Sequence, residues 1–138
     1  MKLDSLPQAV RLAIEAAQNK KAAGITLLDL SGRGAFTDYF IVCTGFSTPQ
    51  VHAVCEEVEE QLARVGRAPG HREGFRAAEW VLLDFGDFIV HVFSEQARRY
   101  YDLERLWRSA PKFELPDDPG SAPVNALPDV SAGGVRSG

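Results

Sequence analysis

The stretch Trp80-Val81-Leu82-Leu83-Asp84-Phe85-Gly86-Asp87-Phe88-Ile89-Val90-His91-Val92-Phe93 decides how the chain folds. Two apolar runs rich in β-branched and aromatic residues flank Gly86-Asp87, and Gly followed by Asp suits a tight two-residue hairpin loop. That loop sets the register: Phe85 opposes Phe88, Asp84 opposes Ile89 and Trp80 opposes Phe93. Side chains alternate across a strand, so the register sorts them by face. Val81, Leu83, Phe85, Phe88, Val90 and Val92 share a wholly apolar face and must be core. Trp80, Leu82, Asp84, Ile89, His91 and Phe93 share the other, which mixes aliphatics with a Trp, a carboxylate and a His. Two readings fit this mixed face. It is either a second core layer beneath a helix, with Asp84 and His91 at its rim, or a partner-binding surface anchored by Trp80.

Upstream, Tyr39-Phe40-Ile41-Val42-Cys43-Thr44 is nearly all apolar, as expected of a central strand covered on both faces. After Gly45, Ser47 and Gln50 have capping-box spacing and Pro49 lies in the first turn of a helix. Val51, Cys55, Val58, Leu62 and Val65 form its apolar stripe, and Gly66 ends it. A first helix is expected from about Leu6 to Ala23, capped by Ser5, with Val10, Ile14 and Ala17 inward and Gly24 as a left-handed stop. Ile25 to Leu30 reads as a strand. Arg67 to Gly74 reads as a loop with room for a short edge strand, and Ser94 caps a last helix from Glu95 to about Arg108. The order α-β-β-α-(β)-β-β-α predicts a single mixed-sheet α/β or α+β domain. Its expected extent is residues 1–112. Residues 113–138, punctuated by Pro116, Pro119, Pro123 and Pro128 among Gly, Ser and Asp, are expected to be a disordered tail.

The chain of 138 residues has room for one core without staples. No run approaches the ~20 apolar residues of a membrane span. The N-terminus lacks the apolar stretch of a secretory signal, and the two cysteines, Cys43 and Cys55, fit reduced thiols, so a cytoplasmic protein is expected. The net charge of −4 is divided equally between residues 1–110 and residues 111–138. No block of Lys and Arg supplies the basic surface that direct nucleic-acid binding requires. Glu79, Asp84 and Asp87 suit a partner rich in Lys and Arg instead.

Catalytic chemistry finds little purchase. His52-x-x-Cys55 puts two ligands on one helical face, but no second pair completes a tetrahedral metal site, and Cys55 lies on the apolar stripe. No nucleophile elbow, Walker loop or dinucleotide fingerprint is present. Thr44-Gly45-Phe46-Ser47 is a small-residue turn between a strand and a helix, a geometry that can hold phosphate. Nucleotidyltransferases follow such a turn with paired carboxylates, whereas here no carboxylate occurs until Glu56. Asp84 and Asp87 flank a turn and form no compact two-metal set. No cofactor or metal is expected.

Three ordered blocks carry a family resemblance. They are Thr37 to Gly45 followed by Ser47 and Gln50, then Trp80 to Phe93, then Arg98-Arg99-Tyr100-Tyr101-Asp102-Leu103-Glu104-Arg105-Leu106-Trp107. Across residues 5–110 the chain resembles the Iojap-like, ribosomal silencing factor family. The resemblance implies a nucleotidyltransferase-like fold without the catalytic residues, no enzyme activity, and often a homodimer. It implies binding to the large ribosomal subunit through that subunit's fourteenth protein, a basic protein on the subunit-joining face. Occupying that face blocks subunit joining and represses translation in starved or stationary cells. The contact residues it implies are Trp80, Asp84 and Asp87. Leu82 and His91 of the same hairpin face and Tyr101 are expected to join these contacts, while Tyr101, Glu104 and Trp107 either line the same surface or pack the core. A large-subunit assembly factor using the same contact, and a divergent nucleotidyltransferase using the Gly45–Ser47 turn, are the competing functions.

Overall fold

The computed structural model describes residues 3–116. A 3-10 turn at Leu3–Ser5 leads into α1 (Gln8–Asn19), β1 (Ala23–Asp29), β2 (Tyr39–Gly45) and α2 (Thr48–Ala63). Then follow β3 (His71–Glu73), β4 (Trp80–Asp84), β5 (Phe88–Ser94), α3 (Glu95–Tyr101), α4 (Leu103–Leu106) and β6 (Lys112–Glu114). The six strands form one mixed sheet in the order β3-β4-β5-β2-β1-β6. The central β2–β5 pair is parallel and every other pair is antiparallel. The α+β mixed sheet expected from the element order is present.

The hairpin has the expected register, with Trp80 opposite Phe93 and Asp84 opposite Ile89. Gly86 takes a φ of +94°, which a side chain at that turn position would resist. One face of the sheet packs against α1 and α2. Val81, Leu83, Phe85, Phe88, Val90 and Val92 all join that core, together with Val10, Ile14 and Ala17 of α1 and Val51, Cys55, Val58 and Leu62 of α2. The other face carries a smaller layer of Leu28, Leu30, Phe40, Val42, Ile89 and Phe93 beneath Ala97 and Leu103. Strand β2 is therefore sandwiched, which is why its sequence shows no polar alternation.

Several boundaries differ from those read in the sequence. Helix α1 starts after Pro7, which occupies the N-cap position with no side-chain cap, so Ser5 does not serve. It also stops earlier. Lys21, not Gly24, is the left-handed residue that ends the helix (φ +63°), and the Ala22 N–H reaches back to Ala17 O (3.0 Å) in a Schellman-type closure. Gly24 (φ +58°) lies inside β1, where the β1–β2 register shifts. A Cβ there would stand 3.1 Å from the Arg98 guanidinium. Val65 lies beyond α2 and is exposed. The last helix is broken at Asp102 (φ 48°, ψ 54°) into α3 and α4. The expected boundary between residues 112 and 113 falls inside β6, which pairs antiparallel with β1. Phe113 and Leu115 pack against the main core from that edge. The rest of the expected tail lies outside the described residues.

Candidate functional site

Helices α3 and α4 are short, and they leave the outer face of β4 only partly covered. Trp80, Leu82 and Asp84 point from that face and are each half-buried. The Trp80 ring contacts Phe93 (centroids 5.1 Å apart) and Tyr101 (4.7 Å). Tyr101 is 48% exposed, so the two aromatics form a ledge open to solvent on one side. Beyond Trp80, a cleft of about 190 Å³ is lined by Glu73, Gly74, Trp80 and Leu82. Gly74 allows the close approach of two backbones at this cleft. Its φ is +81°, and a Cβ would come within 2.1 Å of the Trp80 carbonyl oxygen. Glu73 and Gly74 were not legible as site residues, because a three-residue edge strand carries no alternation to read.

The remaining expected contact residues take distinct roles. The Asp84 carboxylate accepts the Gly86 N–H (2.8 Å) and so holds the hairpin turn. The Asp87 carboxylate accepts from Arg67 (2.6 Å), which also donates to Phe85 O. Asp87 is exposed, but its charge is partly met within the chain. His91 departs from its expected place among the contacts, because it is only 3% exposed. It lies under the ledge, where its Nδ1 accepts the Trp80 indole N–H (3.0 Å) and its ring meets Phe40 edge-on at 4.5 Å. Its Nε2 is buried with no hydrogen-bond partner in the described structure. Burial pushes the His91 imidazole down to about 4, so the ring is neutral at neutral pH. The mixed face is thus divided between a buried half and a partly open half. The β5 half is core, and the β4 half is surface.

The last helix pair splits in the same way. Trp107 packs edge-on against Phe40 (6.1 Å) in the smaller core layer. Arg98 clamps Glu104 through two nitrogens (2.6 and 3.3 Å) and donates to Thr44 Oγ1 (3.0 Å) and Thr26 Oγ1 (3.3 Å). It thereby ties α4 to the middle of β1 and the end of β2. Burial raises Glu104, but the Arg98 hydrogen bond and charge outweigh it and leave the carboxyl below its usual range. Next to the ledge, Tyr101, Asp102, Arg105, Leu106, Arg108 and Ser109 line an open hollow of about 570 Å³.

The phosphate-holding possibility at Gly45–Ser47 meets a turn already committed to its own chain. The Phe46 N–H donates to Gln50 Oε1 (2.7 Å), the Gln50 N–H donates to Ser47 Oγ (3.1 Å), and Gln50 Nε2 donates to Lys20 O and Lys21 O. Gly45 is needed because a Cβ would fall 2.8 Å from Val51 Cγ2. Cys43 and Cys55 are buried free thiols, raised by burial, Cys43 to about 12. His52 spends its Nε2 on Phe75 O (2.6 Å) and stacks on the Phe75 ring. Among the described residues no three His, Cys, Asp or Glu side chains gather where a metal ion could sit, and no helix is long and apolar enough to cross a membrane.

Fold and site together define a small α+β domain with an aromatic ledge on one sheet face. The family model for "ribosomal silencing factor during starvation" (RsfS) matches residues 3–132. The ribosomal silencing factor RsfS of Bacillus subtilis is 42% identical over 106 residues, which span 77% of this chain and 90% of that protein. The chloroplastic protein Iojap of Arabidopsis thaliana is 34% identical over 122 residues, 88% of this chain and 50% of Iojap. A crystal structure of a Chromobacterium violaceum protein superposes with a TM-score of 0.71 at 38% identity, covering 78% of this chain and 88% of that one. The chain belongs to the ribosomal silencing factor (RsfS) family.

Proposed function

We propose that this protein represses translation by docking its β4 ledge on the fourteenth protein of the large ribosomal subunit. Occupying the subunit-joining face in this way keeps the small subunit off. The observation that carries the reading is the half-open face of β4. Its centre is aromatic and aliphatic (Trp80, Leu82, Tyr101), and its rim is acidic, with Glu73, Glu79, Asp84 and Asp87. An apolar centre inside a charged rim is common interface anatomy, and an acidic rim complements a basic ribosomal protein. The silencing role named for the relatives supports a ribosome as partner.

On this reading the protein acts in the cytoplasm without catalysis, cofactor or metal, and it forms the homodimer that the family resemblance implies. Sucrose-gradient sedimentation of purified subunits tests the central claim. Added protein is expected to comigrate with the large subunit and to reduce the joined-ribosome peak. An unchanged peak at saturating protein sinks it. Light scattering reports the oligomeric state.

A further inference from the structure

We infer that His91 is a positioning residue for partner docking: by accepting the Trp80 indole N–H at Nδ1, it sets which face and edge of that indole the β4 ledge presents. The inference rests on the docking reading above and extends it to a residue that the partner cannot touch. An indole nitrogen can only donate, so Nδ1 must be the acceptor in this 3.0 Å contact. In the neutral ring the proton then sits on Nε2, and that buried atom has no partner in the described structure. An orphaned buried donor is costly, and an aliphatic side chain would fill the same layer without it. What the imidazole supplies there is the Nδ1 acceptor. The indole is also held by ring contacts with Phe93 and Tyr101, but neither fixes the direction of its N–H.

The arrangement works in one protonation state only. A proton added at Nδ1 would set two donors against each other. The groups that pack around the ring carry no charge to favour that proton: Phe40 from β2, Leu82 and Trp80 from β4, Phe93 from β5 and, behind Phe40, Trp107 beyond α4. Tyr101 of α3 touches the far side of Trp80. Asp84 of β4 is tied to the Gly86 N–H, and Arg98 of α3 and Glu104 of α4 neutralise each other. Burial thus keeps the ring in its accepting form across the neutral range.

The test uses the full chain and purified large ribosomal subunits at pH 7. His91→Leu removes the acceptor at similar bulk, whereas His91→Asn keeps an acceptor oxygen in the place of Nδ1 and takes up no proton down to pH 4. His91→Leu is expected to weaken subunit binding by up to roughly tenfold, because the free energy of one buried hydrogen bond is the ceiling on what it contributes to orienting the indole, and His91→Asn is expected to restore it. In a Trp80→Phe background, which has no N–H to orient, His91→Leu should have no further effect. Equal losses in both backgrounds overturn the inference. A second readout needs no partner. In a Trp107→Phe background Trp80 is the sole tryptophan, and its emission should shift as the pH falls toward 4. His91→Asn should abolish that shift. If the unmodified chain fails to bind subunits, the docking reading falls. The emission titration separately decides whether His91 holds the indole, and an unshifted emission rejects the positioning role even where docking stands.

Discussion

Trp80 lies where the sheet stops being covered. Its ring is half-buried between Phe93 and Tyr101, and its outer side borders the Glu73–Gly74 cleft. A large aromatic in that setting is the usual form of an interface hot spot. Trp80→Ala is therefore expected to weaken large-subunit binding by ~2 kcal/mol or more, read by cosedimentation with a folded variant. Undiminished binding would confine Trp80 to a packing role. His91, beneath it, predicts a pH effect on stability. Its folded value of about 4 lies below the ordinary 6.5. Between those values the unfolded chain binds a proton that the folded chain refuses. Stability is undisturbed by this residue above pH 6.5 and falls as the pH drops toward 4, by ~3 kcal/mol in all. Urea midpoints at pH 7 and pH 4.5 should separate accordingly, and His91→Asn should narrow the gap.

Elements differ in how much of their length the sequence reveals. The β4–β5 hairpin was fully legible, because a period of two and a Gly-Asp turn fix both register and facing without outside help. Helix α2 was legible too, since Ser47 and Gln50 announce its start. The end of α1 was not. Lysine at a left-handed position is locally unfavourable, and here Gln50 of α2 bridges the Lys20 and Lys21 carbonyls to hold it. That contact spans thirty residues of sequence and leaves no local trace. Lys21→Gly should relieve the strain and raise stability by about 1 kcal/mol, visible as a higher urea midpoint with an unchanged slope. An unaltered midpoint would mean that the Lys21 side chain offsets its own strain. The break at Asp102 was equally hidden, although it decides the site: an unbroken helix to Arg108 would have followed a different path across the ledge. Alternation therefore identified the residues of the mixed face but could not say that Trp80 and Phe40 would bury His91 while Trp80 itself stayed half-open.

For the molecule as a whole, the sheet edges matter most. Strand β6 is three residues long and flanked by prolines, so only the open edge of β1 makes it a strand. It brings Phe113 and Leu115 onto the main core beside Leu27 and Ile25. A chain ended at Pro111 loses that cover and should be less stable by about 2 kcal/mol, on the area scale for two half-buried side chains. Equal urea midpoints for the shortened and full chains would show β6 to be ornamental. The parallel β2–β5 pair has a different consequence, in the order of assembly. Residues 46–87 separate its partners, so the two innermost strands meet only after a long loop has closed. Contacts of such high sequence separation slow folding. A nascent chain emerging at roughly 5–20 residues per second would hold β1, β2 and α1 for some seconds before β5 arrived. During that interval the apolar β2 edge stands unpaired and open to aggregation or chaperone capture, and its exposure ends when the local β4–β5 hairpin docks as a preformed unit.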